Sequence, residues 1–175
     1  MDHLWAPWRM TYINSSGEES QKQHEGCIFC LKSAEQRDED NLLLYRSEHC
    51  FVLMNLYPYN NGHLMIAPYL HVPSIEDLGA AVLTDIMLTT QRCLGALRNA
   101  MQPQGYNMGM NQGTVAGAGI ADHVHFHIVP RWNGDTNFMP VLANTKVMPD
   151  YLKNTYHQIR PYMVQAYPST QAPAE

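Results

Sequence analysis

Asp122-His123-Val124-His125-Phe126-His127-Ile128-Val129-Pro130 decides how this chain is read. Three histidines alternate with Val124, Phe126 and Ile128, and a period of two predicts a half-buried β-strand. Residues two apart on a strand share a face, so the imidazoles form a row while the apolar side chains pack into a core behind them. Pro130 lacks an N–H for the ladder and is expected to end the strand. Imidazole is a costly coating for a sheet. The row therefore points to metal binding, proton transfer or nucleophilic attack.

Upstream of the row lies a Gly/Ala-rich turn, 113–121. There Gly113, Gly117 and Gly119 let backbone come close to a ligand and let successive N–H groups face an anion. Tyr106 to Asn111 alternates as a strand. Ahead of it, Ser74 followed by Glu76 and Asp77 resembles an N-cap, and Leu78, Val82, Ile86, Cys93 and Leu97 recur at helical steps. A main helix is predicted over about 74–101, stopped by Pro103 and Gly105. Cys93 lies on its apolar stripe, as core. Asn41–Tyr45 and Cys50–Met54 read as a hairpin around Arg46-Ser47-Glu48-His49. His63–Ala67 follows as another strand after a loop rich in breakers.

Cys27-Ile28-Phe29-Cys30 is a C-x-x-C knuckle, a spacing that supports either zinc or a redox pair. At the start, Trp5 and Trp8 flank Pro7 in an aromatic arm that must pack on the domain or on a second subunit. Residues 13–26 read as loop. Beyond the histidine row, Asn133-Gly134-Asp135 is a turn, Phe138 to Val147 can hold a further strand, and Tyr151 to Arg160 a short helix. The composition of the tail from Pro168 predicts disorder. The prediction is an α+β domain with an antiparallel sheet of about five strands, one long helix and one short. Its divisions are an arm and loop over 1–20, the domain over 21–165 and a tail over 166–175.

The chain has 175 residues, 45% hydrophobic and 15% charged, with a net charge of −5, which suits one globular domain. The acidic balance argues against nucleic acid as a partner but leaves a small phosphorylated ligand open. No apolar run is long enough for a membrane span and no signal segment is apparent. Four cysteines in a chain of this size suit a reducing, cytoplasmic setting.

The His-φ-His-φ-His-φ-φ pattern resembles the signature of the histidine triad family of nucleotide hydrolases and transferases. Its flanks sharpen the likeness: Ala116-Gly117-Ala118-Gly119-Ile120 before it, Pro130-Arg131-Trp132 and Gly134-Asp135-Thr136-Asn137-Phe138-Met139 after it, and a Trp5-Ala6-Pro7-Trp8-Arg9 start. These are similar to the diadenosine tetraphosphate phosphorylase branch, and the likeness runs from about Trp5 to Tyr156. It implies His125 as nucleophile, His127 as donor to the phosphate and His63, after Gly62, as support for the catalytic histidine. It implies Asn55 at the ribose hydroxyls. It further implies a structural zinc on Cys27, Cys30, His71 and His123, no organic cofactor, and a homodimer or larger homo-oligomer.

Where relatives carry Gly-Gln-Ser/Thr-Val to hold phosphate, this chain has Gly119, Ile120 and Ala121. Phosphate contacts from the turn, including Gly117, must then come from backbone N–H groups. Asn111 and Gln112 both sit where relatives place an amide, and one extra residue in the turn leaves the choice open. The implied reaction is phosphorolysis of diadenosine tetraphosphate to ADP and ATP through a nucleotidyl-histidine, with inorganic phosphate as acceptor. The alternatives are a hydrolase of dinucleoside polyphosphates or phosphoramidates that uses water, and a non-enzymatic nucleotide-binding adapter.

Overall fold

The computed structural model describes residues 26–135 and 150–165. The aromatic arm, the strand expected over 138–147 and the tail lie outside them. The elements run α1 (Ile28–Ala34), β1 (Leu43–Arg46), β2 (Cys50–Met54), β3 (Leu64–Pro68), α2 (Ala80–Met101), β4 (Gly105–Met110), β5 (Phe126–Arg131) and α3 (Leu152–Val164). The five strands form one antiparallel sheet in the order β1-β2-β3-β5-β4. This is the expected α+β fold with one long helix, a short one behind it, and a third, α1, that the sequence reading did not include.

Period-two alternation gives the sheet two faces. Leu44, Val52, Met54, Leu64, Ile66, Val124 and Ile128 pack against Ile86 and Leu97 of α2 and Ile159 and Met163 of α3. Leu43, Phe51, Leu53, Met65 and Ala67 point the other way and meet Phe29 of α1, with Ile120 at the margin. All five residues of β2 and of β3 are therefore buried, because these central strands are covered on both sides. The histidine row belongs to this second face.

Several boundaries differ from the sequence reading, three of the elements by more than a residue or two. The ladder of the histidine strand starts at Phe126, so His123, at a bend, and His125 precede it outside the ladder, and it runs through Pro130 to Arg131. Pairing with β3 ends at Ile128, and beyond it β5 has β4 as its neighbour, which removes the demand for a Pro130 N–H on the β3 side. Ser74 does cap a helix, but a single 3-10 turn, Ile75–Asp77, accepting from Glu76 N; α2 begins after Gly79. Its end follows expectation, with Gln102 left-handed (φ 48°) before Pro103. Finally, α3 runs past Arg160 and through Pro161 to Val164.

Candidate active site and metal cluster

Three buried imidazoles and one at the rim meet where β3 and β5 run side by side. Gly62 brings the chain into β3 at φ 71°, and a Cβ there would come within 2.7 Å of Met101 Sδ, so glycine is needed for this tight entry. His63 follows directly and is fully buried. Its Nδ1 receives the Tyr59 backbone N–H at 3.1 Å and faces Asn55 Nδ2 at 3.3 Å. A backbone N–H can only donate, so Nδ1 is the acceptor and the proton of neutral His63 sits on Nε2. That N–H donates to His127 Nδ1 at 2.9 Å, which places the proton of neutral His127 on its own Nε2. Tyr59 lies over both rings, 4.7 Å from His63 and 5.8 Å from His127 between centroids.

His125 has the opposite tautomer. Its Nδ1 is 2.8 Å from the His123 carbonyl, which can only accept, so Nδ1 carries the proton and Nε2 the lone pair. The two rings stand edge to face with centroids 4.8 Å apart. Neighbouring side chains of one type thus present a bare nitrogen and an N–H donor. Burial holds His125 below the ordinary imidazole pKa, a shift opposed by its bond to the His123 carbonyl. Burial, with the neighbouring His127 and His125, pushes His63 down to about 3. Both are neutral near neutral pH.

The neutrality of His63 has a measurable cost. Its pKa is depressed from 6.5, so between about 6.5 and about 3 the unfolded chain binds the extra proton. The contribution of this group is intact above pH 6.5 and is lost as pH falls toward 3. Inside that window the expected slope is up to about 1.4 kcal/mol per pH unit. Urea melts of the parent and of His63→Gln across this range check it: the variant should lack that part of the slope, and parallel curves would refute the assignment.

The second cluster is built on α1. Cys27 is the N-cap of the helix and Cys30 lies one turn on, which turns both thiols to one side. Together with His71 and His123 they bring four ligand atoms within 4.8 Å of one another. The Nδ1 atoms of His71 and His123 are 3.3 Å apart, Cys27 Sγ is 3.3 Å from His123 Nδ1, and Cys30 Sγ is 3.4 and 3.6 Å from the two Nδ1 atoms. A tetrahedral Cys2His2 zinc site, with Zn–N and Zn–S near 2.0 and 2.3 Å, has ligand–ligand edges of about 3.3–3.8 Å. The set fits such an ion. His123 Nε2 is 2.9 Å from the Pro68 carbonyl, so it holds the proton and offers a bare Nδ1 to the cluster, as a metal-ligating histidine does. Burial and the adjacent Cys27 raise the Cys30 pKa, a penalty that a bound cation reverses.

A cleft beside the row is lined by Tyr59, Asn107, Gly109, Asn111, His127 and Val129 among others. Asn111 faces it and reaches the Gly117 carbonyl at 3.4 Å. Gln112 instead accepts the Ile75 N–H at 3.1 Å, away from the row. Gly117, left-handed at φ 86°, ends the 3-10 turn Thr114–Ala116. Gly119 is exposed, and Ile120 packs its side chain on the Phe29 cluster, leaving only its backbone to a ligand. Asn55 uses both ends of its amide within the protein, with Oδ1 accepting from Tyr57 N at 2.9 Å and Nδ2 on His63. Tyr59 and Phe29 are contributors that the sequence reading left out. Tyr59 sat in a loop read only for its breakers, and Phe29 between two cysteines read only for their spacing.

Residues 36–134 match the family model described as the HIT domain. A protein of Mycobacterium tuberculosis named AP-4-A phosphorylase is 37% identical over 164 residues, covering 89% of this chain and 80% of that protein. A bis(5'-adenosyl)-triphosphatase of Dictyostelium discoideum is 33% identical over 51% of this chain and 59% of its own length. Among solved structures, a Zn-bound histidine triad family protein from Mycobacterium smegmatis aligns with a TM-score of 0.64 and 25% identity, over 80% of this chain and 94% of that one.

Proposed function

The chain belongs to the HIT domain family, and on that premise we propose that it transfers a nucleotidyl group through His125, by phosphorolysis of diadenosine tetraphosphate to ADP and ATP. The observation that carries the reading is the pair of opposed tautomers on His125 and His127. His125 Nε2 attacks the α-phosphorus, and the bond from that phosphorus to the bridging oxygen breaks. ATP leaves as an anion, and the His127 Nε2–H gives a hydrogen bond to the phosphate oxygens as charge shifts onto them. The adenylylated His125 ring becomes a cation whose Nδ1–H still points at the His123 carbonyl. That carbonyl dipole favours the cation as it forms, with no reorganisation at the moment of reaction. Attack of inorganic phosphate on the same phosphorus then breaks the P–N bond, giving ADP and restoring neutral His125. Two in-line displacements yield net retention at phosphorus.

We assign the substrate contacts to Asn55 at the ribose, to Asn111 and to the backbone N–H groups of Gly119 and Ile120, with His63 behind His127; the Gly117 N–H is held by the Thr114 carbonyl, so Gly117 serves the turn itself. Structural zinc fits Cys27, Cys30, His71 and His123; with four protein ligands, it supplies rigidity and leaves no position for substrate. Among the described residues β1 and β4 are the edge strands, and the exposed Asn107, Met108 and Gly109 of β4 offer a ladder that a second copy can extend into a homodimer.

Phosphorolysis is favoured over hydrolysis by the likeness to the phosphorylase named above, which spans 89% of the chain. The test is product analysis with diadenosine tetraphosphate, with and without inorganic phosphate. ADP plus ATP, formed at a rate that depends on phosphate, is expected. AMP plus ATP at a rate indifferent to phosphate would make the protein a hydrolase.

A further inference from the structure

Phe29 occupies the middle of the C-x-x-C knuckle, is fully buried, and touches the histidine row rather than merely the sheet. Its ring centroid lies 4.7 Å from that of His125, at 44°, and 5.1 Å from that of His123. On the remaining sides Phe29 meets Phe51, at 6.5 Å, and the cluster of Leu43, Leu53, Met65 and Ala67. The His125 ring is therefore held by Phe29, by the edge of His127 and by the His123 carbonyl.

The helix that carries Phe29 is only seven residues long, too short to persist without tertiary support. Arg46 fastens its far end, donating to the Ser33 and Glu35 carbonyls at 2.6 and 2.8 Å. Its near end is fastened through Cys27 and Cys30 facing His123 and His71. His123 thus enters twice, with its ring in the metal cluster and its carbonyl on His125.

We propose that Phe29 is a positioning residue for His125, so that the metal cluster, by fixing α1, sets the orientation of the nucleophilic ring. The inference rests on the reading of His125 as nucleophile. Physically, a ring wedged between two aromatic neighbours keeps one rotamer. A smaller, non-planar neighbour opens space for the imidazole to swing its Nε2 away from the in-line direction, and an error of this kind costs up to about a hundredfold in rate.

The experiment compares Phe29→Leu with the parent by zinc content, steady-state kinetics and imidazole 15N–1H spectra. With metal retained, kcat should fall about tenfold or more, KM should move by less than about twofold, and the His125 ring signals should shift or broaden. Chelating the metal from the parent should disturb the same His125 signals, and doing so in Phe29→Leu should add little, because the two changes act along one chain of contacts. A folded, zinc-loaded Phe29→Leu with parental kcat and parental His125 signals would overturn the proposal. Should Phe29→Leu lose the fold, Phe29→Met and the chelated parent carry the same readouts, and undisturbed His125 signals in either overturn it as well. Shifted ring signals in a protein whose parent forms no nucleotidyl-histidine would support the positioning and count against the nucleophile instead.

Discussion

Replacing His125 by Ala is expected to reduce turnover by at least about a thousandfold, because the substitution removes the atom proposed to form the covalent bond rather than one that assists it. The fold should survive. The side chain is 5% exposed and lies on the face opposite the large core, so its loss leaves the packing of Ile128 and Val124 against α2 and α3 in place. Nucleotide affinity should stay within a few-fold, since the proposed ribose and phosphate contacts belong to other residues. Calorimetric titration with a non-cleavable nucleotide, beside steady-state rates, separates the two effects. A variant that keeps more than a few per cent of the parental rate cannot be reconciled with a covalent histidine mechanism. An inert parent that binds nucleotide as well as the variant does would point to the adapter reading.

The second large effect concerns the metal cluster. Purified protein is expected to carry about one zinc per chain, and Cys27→Ser or Cys30→Ser to lose it. An ion present at a thousand times its Kd stabilises the fold by about 4 kcal/mol. At 2–4 °C per kcal/mol for a chain of this size, melting should fall by roughly 10 °C. The loss should begin at α1, whose near end is tied down by the cluster. Metal analysis and melting curves of parent and variants check this. Fully active parent protein without stoichiometric metal would refute the zinc assignment.

How much of this could be read from sequence depended on where periodicity applies. The alternation of the histidine stretch placed Val124 and Ile128 in the core and the imidazoles on the opposite face, as the structure has them. It overestimated the ladder, because His123 and His125 lie ahead of the strand, their rings held instead by the Pro68 and His123 carbonyls. The apolar stripe of α2 was legible over most of its length. Its first turn was not, since Leu78 and Gly79 adopt extended backbone between the capped 3-10 turn and the helix.

Helix α1 was invisible for a different reason. Seven residues give no period to detect, and what stabilises them is tertiary: a buried Phe29, the Arg46 contacts and the facing cysteines and histidines. Side-chain direction was likewise beyond the sequence. Asn111 and Gln112 are adjacent amides of equal plausibility, and only the fold turns one to the cleft and the other to Ile75. The resemblance placed Asn55 at a ribose, while the geometry adds a contact to His63 that no spacing could have indicated.

The proposed bond between His125 Nε2 and phosphorus is tested most directly by a rapidly quenched reaction with diadenosine tetraphosphate followed by intact-mass analysis and peptide mapping. Inorganic phosphate is withheld so that the intermediate accumulates, and the quench is alkaline because a phosphoramidate is labile to acid. The predicted result is one added AMP on the parent, located on His125, absent from His125→Ala and discharged as ADP when phosphate is supplied. Turnover with no adduct at any time point, or an adduct that persists in His125→Ala, would contradict it.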